Sequence, residues 1–275
     1  MTELTLMAVH AHPDDEASST GGVLAKYADE GIRTIVVTCT NGEFGDGPGG
    51  VKPGHDGHDT TDVAQTRLAE LREACKHLGV SELELLGYHD SGMPDWEYRH
   101  RPEAFCNVPL AAVAGRIGEL LGRYQPQVVV TYDPDGAYQH PDHVHASRAA
   151  IEAVTRTGIP AKLYLTAMRR SSWRQVFEAL REQGENLPDW EITEEEERVM
   201  RESEERITTT VDITSFLDRK RAALLAHASQ ISETSWFTKI PPEVAQAAFG
   251  VEMFIRAQDR TGAPLPEADL FAGLR

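Results

Sequence analysis

The run Leu4-Thr5-Leu6-Met7-Ala8-Val9, continued without a break by His10-Ala11-His12-Pro13-Asp14-Asp15-Glu16, decides how this chain folds. A short, continuous apolar run with polar punctuation behind it reads as a strand buried on both faces, the mark of a parallel sheet. Further on, Thr34-Ile35-Val36-Val37-Thr38-Cys39 repeats the pattern with β-branched residues. Between the two, Gly21 to Glu30 sets Val23, Leu24 and Tyr27 at helical spacing, and Gly31 follows as a C-terminal stop. Strand, helix and strand make a βαβ unit.

Outward from that unit the alternation continues. Asp62 to Leu78 reads as an amphipathic helix with Ala64, Leu68, Leu71, Cys75 and Leu78 on one stripe. A strand at Leu83 to Leu86, a helix at Ala111 to Tyr124, a strand at Gln127 to Tyr132, a helix at 143–157 and a strand at Lys162 to Met168 follow. This order predicts an α/β, Rossmann-like fold: a mostly parallel sheet flanked by helices. Residues 1–169 are expected to form the catalytic domain. Residues 170–275 read as a smaller mixed α/β portion that completes the substrate pocket, with helices at 172–184, 189–206 and Ser215 to Ala228 and strands at Ile207 to Val211 and Val251 to Arg256. The loop at 41–61 is far longer than ordinary connections, which points to function or mobility, and a second irregular stretch runs from 90 to 108.

The chain has 275 residues, enough for one large α/β domain with or without an appendage. Hydrophobic residues at 40% and charged residues at 26% match an ordinary globular protein. No apolar run reaches the roughly 20 residues of a membrane helix. Met1-Thr2-Glu3-Leu4 lacks the basic and apolar regions of a secretory signal, so a cytoplasmic setting without membrane contact is expected. A formal charge of −17 excludes a nucleic-acid partner, which needs clustered Lys and Arg. Nine acidic and three basic residues in 189–206 read as a solvated helix face. Cys39, Cys75 and Cys106 are widely spaced and read as reduced thiols. A homo-oligomer is compatible with this composition.

Ligands of open α/β sheets bind beyond the carboxyl ends of the strands, so function is expected where the first strand stops. A dinucleotide site would show G-x-G-x-x-G there, and a phosphate loop G-x-x-x-x-G-K. Neither is present. Instead, two imidazoles and three carboxylates fall within His10 to Glu16, groups that bind divalent metals and move protons. The strand at Gln127 to Tyr132 runs into Asp133-Pro134-Asp135-Gly136-Ala137-Tyr138-Gln139-His140-Pro141-Asp142-His143. If the two strands lie close, His12 and Asp15 converge with His143. Two imidazoles and one carboxylate leave zinc a fourth position for water, and the same donors suit iron(II). Either cluster alone reads as a helix cap or a surface histidine; two H-P-D sequences at two strand ends do not.

His12-Pro13-Asp14-Asp15-Glu16 together with His140-Pro141-Asp142-His143 resembles the paired signatures of the LmbE/PIG-L family of zinc-dependent N-deacetylases and amidases. The likeness runs from Leu6-Met7-Ala8-Val9-His10-Ala11 to Asp269-Leu270-Phe271-Ala272-Gly273, near the branch of the mycothiol-biosynthesis deacetylase and the mycothiol S-conjugate amidase. It implies a metal, Zn2+ or Fe2+, held by His12, Asp15 and His143. It implies Asp14 as general base, His140 as acid and oxyanion stabiliser with its tautomer set by Asp142, and Tyr138 as a mobile partner. Sugar contacts are implied at Glu43, Arg67, Asp90 and Met93.

The substrate so implied is a small-molecule N-acyl amino sugar, first an N-acetylglucosaminyl-inositol-like conjugate that yields free amine and acetate. The alternatives are cleavage of the cysteinyl–glucosamine amide in a mycothiol S-conjugate and deacetylation of a secondary-metabolite amino sugar. A non-catalytic sugar- or metal-binding module, from another class, has no need of Asp14. Ser19 stands where conjugate amidases of this branch commonly carry Lys, which favours the deacetylase, whereas the two ends of the chain look more like the amidase. The loop at 44–61 matches neither. Taken by themselves, Arg67 fits a helix-edge salt bridge with Glu70 or Asp62, and Met93 fits a core position. His10 reads as support behind the ligands, and His55, His58, His89, His100 and His145 as ordinary imidazoles.

Overall fold

The computed structural model describes residues 3–135, 139–185, 198, 201–202, 204–231 and 239–275. Its centre is a seven-stranded sheet: β1 (Thr5–His10), β2 (Arg33–Thr40), β3 (Glu82–Tyr88), β4 (Val128–Tyr132), β5 (Lys162–Ala167), β6 (Thr209–Asp212) and β7 (Val251–Asp259), in the order β3-β2-β1-β4-β5-β7-β6. The first five are parallel, and β7 runs antiparallel to both β5 and β6. All six residues of β1 are buried, as a strand covered on both faces requires.

The pleat sends alternate residues of β1 into two cores. Leu6 and Ala8 join Val36, Val128, Val130 and Tyr164 on one face, under α1 (Asp15–Asp29), α2 (Thr60–Leu78) and α6 (Leu217–Ala226). Met7 and Val9 join Ile35, Val37 and Val129 on the other, under α3 (Leu110–Tyr124) and α4 (Pro141–Thr157). Two further helices among the described residues are α5 (Arg170–Glu182) and α7 (Pro242–Phe249). The α/β fold with a mostly parallel sheet is as the alternation predicts, and β6 and β7 extend that same sheet.

Differences lie mainly at element ends. α1 starts at Asp15 rather than Gly21, because Asp15 and Glu16 place negative charge on its first turn, where the helix dipole favours it. The helix α7 escapes a periodicity reading because it has only eight residues and opens on proline. The buried stripe of α2 is Val63, Arg67, Leu71, Ala74, Cys75 and Leu78, rotated from the expected one so that Arg67 lies on it rather than beside it. The acidic stretch 189–206 lies largely outside the described residues, and so does Tyr138. No described helix is long and apolar enough to cross a membrane.

Candidate active site

Strand order reverses at β1: β2 and β3 lie to one side of it, β4 and β5 to the other. The crevice beyond the carboxyl ends of β1 and β4 is therefore the switch point at which such sheets bind ligands. β1 delivers His12, Asp14 and Asp15 into it. β4 delivers His140, which caps α4 by accepting the Asp142 N–H at Nδ1 (3.2 Å), and His143, in the first turn of that helix.

Three donors meet there. His12 Nδ1 lies 3.2 Å from His143 Nε2 and 3.3 Å from Asp15 Oδ2, and His143 Nε2 lies 3.4 Å from Asp15 Oδ1. Tetrahedral zinc with bonds of about 2.0–2.1 Å sets donor–donor edges near ~3.3 Å, so the triangle has the size of one face of that polyhedron. His140 adds a third imidazole, its ring centre 4.6 Å from that of His12. Groups behind the donors aim them. His12 Nε2 faces Asp142 Oδ2 at 3.2 Å and Asp90 Oδ1 at 3.7 Å. Ser91 donates its N–H to Asp142 Oδ2 (2.9 Å) and its hydroxyl to Oδ1. Tyr132 donates to Asp15 Oδ2 (2.6 Å) and stacks on His143 at 4.2 Å and 7°. The Asp142 carboxylate thus steadies His12 rather than setting the tautomer of His140.

Burial opposes charge on His12, Asp14, Asp15 and His140, and their partners decide which keep it. Against desolvation, His143 and His12 hold Asp15 well below the usual carboxylate range. Against desolvation too, Asp90, Asp142 and Asp15 raise His12. For His140 burial wins, helped by His12, and pushes the imidazole down to about 3. Burial also raises Asp14, with Arg67 pulling the other way.

Asp14 has a backbone that few non-glycine residues adopt, φ 108°, at the cap of α1. Such a conformation persists only where neighbours over-determine it. Arg67 donates to Asp14 Oδ2 (2.9 Å), Pro13 O (2.6 Å) and Gly42 O (2.8 Å). The Asp14 N–H donates to Glu16 Oε2 (3.0 Å), and buried His227 holds Glu16 Oε1 at 2.7 Å. Arg67 is thus 5% exposed and clamps the cap instead of pairing with Glu70 or Asp62. Gln230 grips the loop after β2 from two sides, accepting the Asp46 N–H (3.0 Å) and donating to Asp46 O (3.1 Å).

A cavity of about 260 Å³ opens onto His12, Asp14, Asp15, Arg67, Asp90, Met93 and His140. Met93 is 38% exposed there and is no core residue. Glu43 is buried against His89 Nδ1 (2.7 Å), and neither it nor half-buried Ser19 lines the cavity. His10 bonds Thr20 Oγ1 at 2.8 Å behind the site. Sequence reasoning missed Tyr132, Ser91, His227 and Gln230. Only Tyr132 carried a signal, a phenol closing a strand of otherwise β-branched residues.

A family model described as GlcNAc-PI de-N-acetylase, PIG-L, matches residues 7–154. The chain is 38% identical over 280 residues to a 1D-myo-inositol 2-acetamido-2-deoxy-alpha-D-glucopyranoside deacetylase of Acidothermus cellulolyticus, covering 98% of this chain and 95% of that one. It is 37% identical to the deacetylase of the same name from Salinispora arenicola, covering 100% and 94%. Among solved structures, the N,N'-diacetylchitobiose deacetylase of Pyrococcus horikoshii superposes with a TM-score of 0.62 at 20% identity, covering 92% of this chain and 83% of that one. The 4-carboxy-2-hydroxymuconate hydratase of Pseudomonas putida superposes with 0.61 at 20% identity, covering 95% and 99%. These two likenesses concern the fold alone.

Proposed function

The chain belongs to the PIG-L family, described as GlcNAc-PI de-N-acetylases, and on that premise we propose that it hydrolyses the N-acetyl amide of an N-acetylglucosaminyl conjugate, N-acetylglucosaminyl-inositol first, to free amine and acetate. The observation that carries this reading is the donor triangle of His12, Asp15 and His143 with Asp14 beside it on the same cavity. Zinc, or iron(II), held by those three residues would supply a Lewis acid that acidifies water and polarises the amide carbonyl.

The chain's own groups divide the proton work. Asp14 accepts a proton from the attacking water; burial raises its affinity for that proton, and the Arg67 clamp keeps the carboxylate aimed. That proton is then available to the departing nitrogen. His140 accepts the Asp142 N–H at Nδ1, so its neutral tautomer carries hydrogen on Nε2 and donates to the oxygen that gains charge. Asp90 and Met93 face the sugar across the cavity, and Arg67 serves by positioning; the family resemblance adds the hydroxyl of Tyr138, which lies outside the described residues. Glu43, Ser19 and Asp142 act from behind the cavity surface. The free cysteines fit a reducing, cytoplasmic setting.

The test combines metal analysis with amine release from N-acetylglucosaminyl-inositol and from a bimane conjugate of mycothiol. Turnover of the inositol conjugate is expected, and turnover of the bimane conjugate alone would replace the deacetylase by the amidase. Asp15→Ala should lose the metal, whereas Asp14→Ala should keep it and lose turnover. Bound zinc without amine release from any N-acyl sugar would favour a binding module.

A further inference from the structure

Two aromatic side chains on the cavity lining are not used by the proposed chemistry: Phe44 and Trp96 share that lining with Met93 and with the carboxylates and imidazoles. Phe44 comes from the long loop after β2 and Trp96 from the long loop after β3. Tyr98 ties the loops together, stacked on Phe44 at 4.0 Å and 15° and meeting Trp96 edge-on at 6.1 Å. The Arg101 guanidinium sits 4.7 Å from the Tyr98 ring centre, within reach of a cation–π attraction.

Trp96 is built into place. Gly92, at φ +68°, lets the indole close on the backbone, since a Cβ there would stand 2.8 Å from Trp96 Cε3. The Gly92 N–H donates to Asp90 Oδ1 (2.8 Å), the same oxygen that faces His12 Nε2 at 3.7 Å. The indole is therefore indexed to the ligand His12 through two residues. On the other loop, the Gln230 grip on Asp46 fixes the chain just beyond Phe44.

Ring faces and a thioether offer no partner to hydroxyl groups, but they pack against C–H bonds. A sugar or cyclitol has hydroxyls around its rim and C–H bonds on its faces, so it can lay a face on an aromatic wall while its rim stays with water and carboxylates. An acetyl group held at the metal donors needs no such wall. The amino sugar itself is served by Asp90 and Met93, which leaves the two aromatic rings to whatever the sugar carries. We propose that Trp96 and Phe44 form a stacking platform for the ring attached to the amino sugar, and that this platform makes the chain select conjugates over free N-acetylglucosamine. The inference rests on the deacetylase reading and names its selectivity element.

The experiment compares kcat/KM for N-acetylglucosaminyl-inositol and for free N-acetylglucosamine in the wild type, Trp96→Ala, Phe44→Ala and Trp96→Phe. The ratio of conjugate to free sugar should fall at least about tenfold in the two alanine variants, carried by KM, and survive largely in Trp96→Phe. A ratio unchanged in Trp96→Ala, or both substrates losing equally through kcat, would overturn the platform. Saturation-transfer NMR with the product glucosaminyl-inositol reads the contact without turnover. Saturation should reach the cyclitol ring protons in the wild type and not in Trp96→Ala, and equal saturation in both would refute the contact. If no N-acetyl sugar is turned over, the deacetylase reading falls while the saturation pattern still decides the platform.

Discussion

Replacing Tyr132 by Phe removes one oxygen from behind the proposed metal donors and leaves the rest of the ring. The residue is 1% exposed. Its hydroxyl donates to Asp15 Oδ2 at 2.6 Å and accepts the Ala11 N–H at 2.7 Å. Burial and the Asp15 charge keep the phenol protonated far above neutral pH, so it stays a donor. A hydrogen bond to a charged group contributes about 1.5–3 kcal/mol, and a stranded buried N–H costs roughly 1–3 kcal/mol. Asp15 Oδ2 keeps the His12 N–H at 2.8 Å, which places the net loss near the low end, about 2–4 kcal/mol in all. The ring stack on His143 should survive.

Loss of a group that orients a ligand commonly weakens metal affinity about 10–100-fold. Urea unfolding after chelation should therefore show the stability loss. A chromophoric chelator in competition should show weaker zinc binding, and saturating zinc should restore most of kcat. If Tyr132→Phe lost stability but bound zinc as the wild type does, Asp15 would not be a ligand. The site would then centre on His12, His140 and His143.

Arg67→Met should lower kcat about 10–100-fold with KM within a few-fold, because the guanidinium holds Asp14 rather than substrate; a rise in KM alone would make it a sugar contact. Removal of metal by chelation should abolish turnover, and zinc at about 100 times its Kd should add roughly 2.7 kcal/mol to unfolding; equal stability with and without zinc would contradict a preformed site. Glu267 accepts from buried Lys162 (2.5 Å) and Tyr164 (2.7 Å), and against its burial these donors hold it below the ordinary 4.5. A depressed carboxylate stabilises the fold above its unfolded value and loses that contribution as pH falls through the folded one. Glu267→Gln should thus cost about 3–5 kcal/mol at neutral pH, with the gap to wild type narrowing below pH 4.5 in urea titrations; a constant gap would refute the linkage. Gly22→Ala should destabilise by about 1–3 kcal/mol despite better helix propensity, since its Cβ would stand 2.7 Å from Ile213 Cβ. Stabilisation in a melting curve would show that the helix shifts freely.

What could be read in the sequence is what the sheet itself places. Short apolar runs encode buried parallel strands, and strand ends carry their side chains to a fixed rim, so the halves of the donor set around His12 and His143 were visible as patterns. Arg67 was misjudged by one step of helix rotation, because a lone charge on a buried stripe looks like an edge until its partner is known. Its partner lies 53 positions away in sequence, on the far side of two loops. The same holds for His227 on Glu16 and for Phe44 on Tyr98. Contacts between long loops have no period, so nothing local announces them.

The adjacency of Asp14 and Asp15 shows how much can hang on one dihedral angle. In an extended or helical backbone neighbouring side chains diverge, yet proline before the pair suggests only an extended entry. The left-handed φ of 108° at Asp14 does more: it ends the loop and starts α1 at the next residue, so Asp15 turns back to the donor triangle while Asp14 turns toward Arg67 and the cavity. Glycine would adopt that angle without strain, but it would bring no carboxylate. Retaining an aspartate there costs about 1–3 kcal/mol of backbone strain, which Arg67, Glu16 and His227 offset from three separate elements. A residue needed only as a helix cap would gain nothing from that arrangement; the base proposed for Asp14, facing the cavity next to Asp15, would.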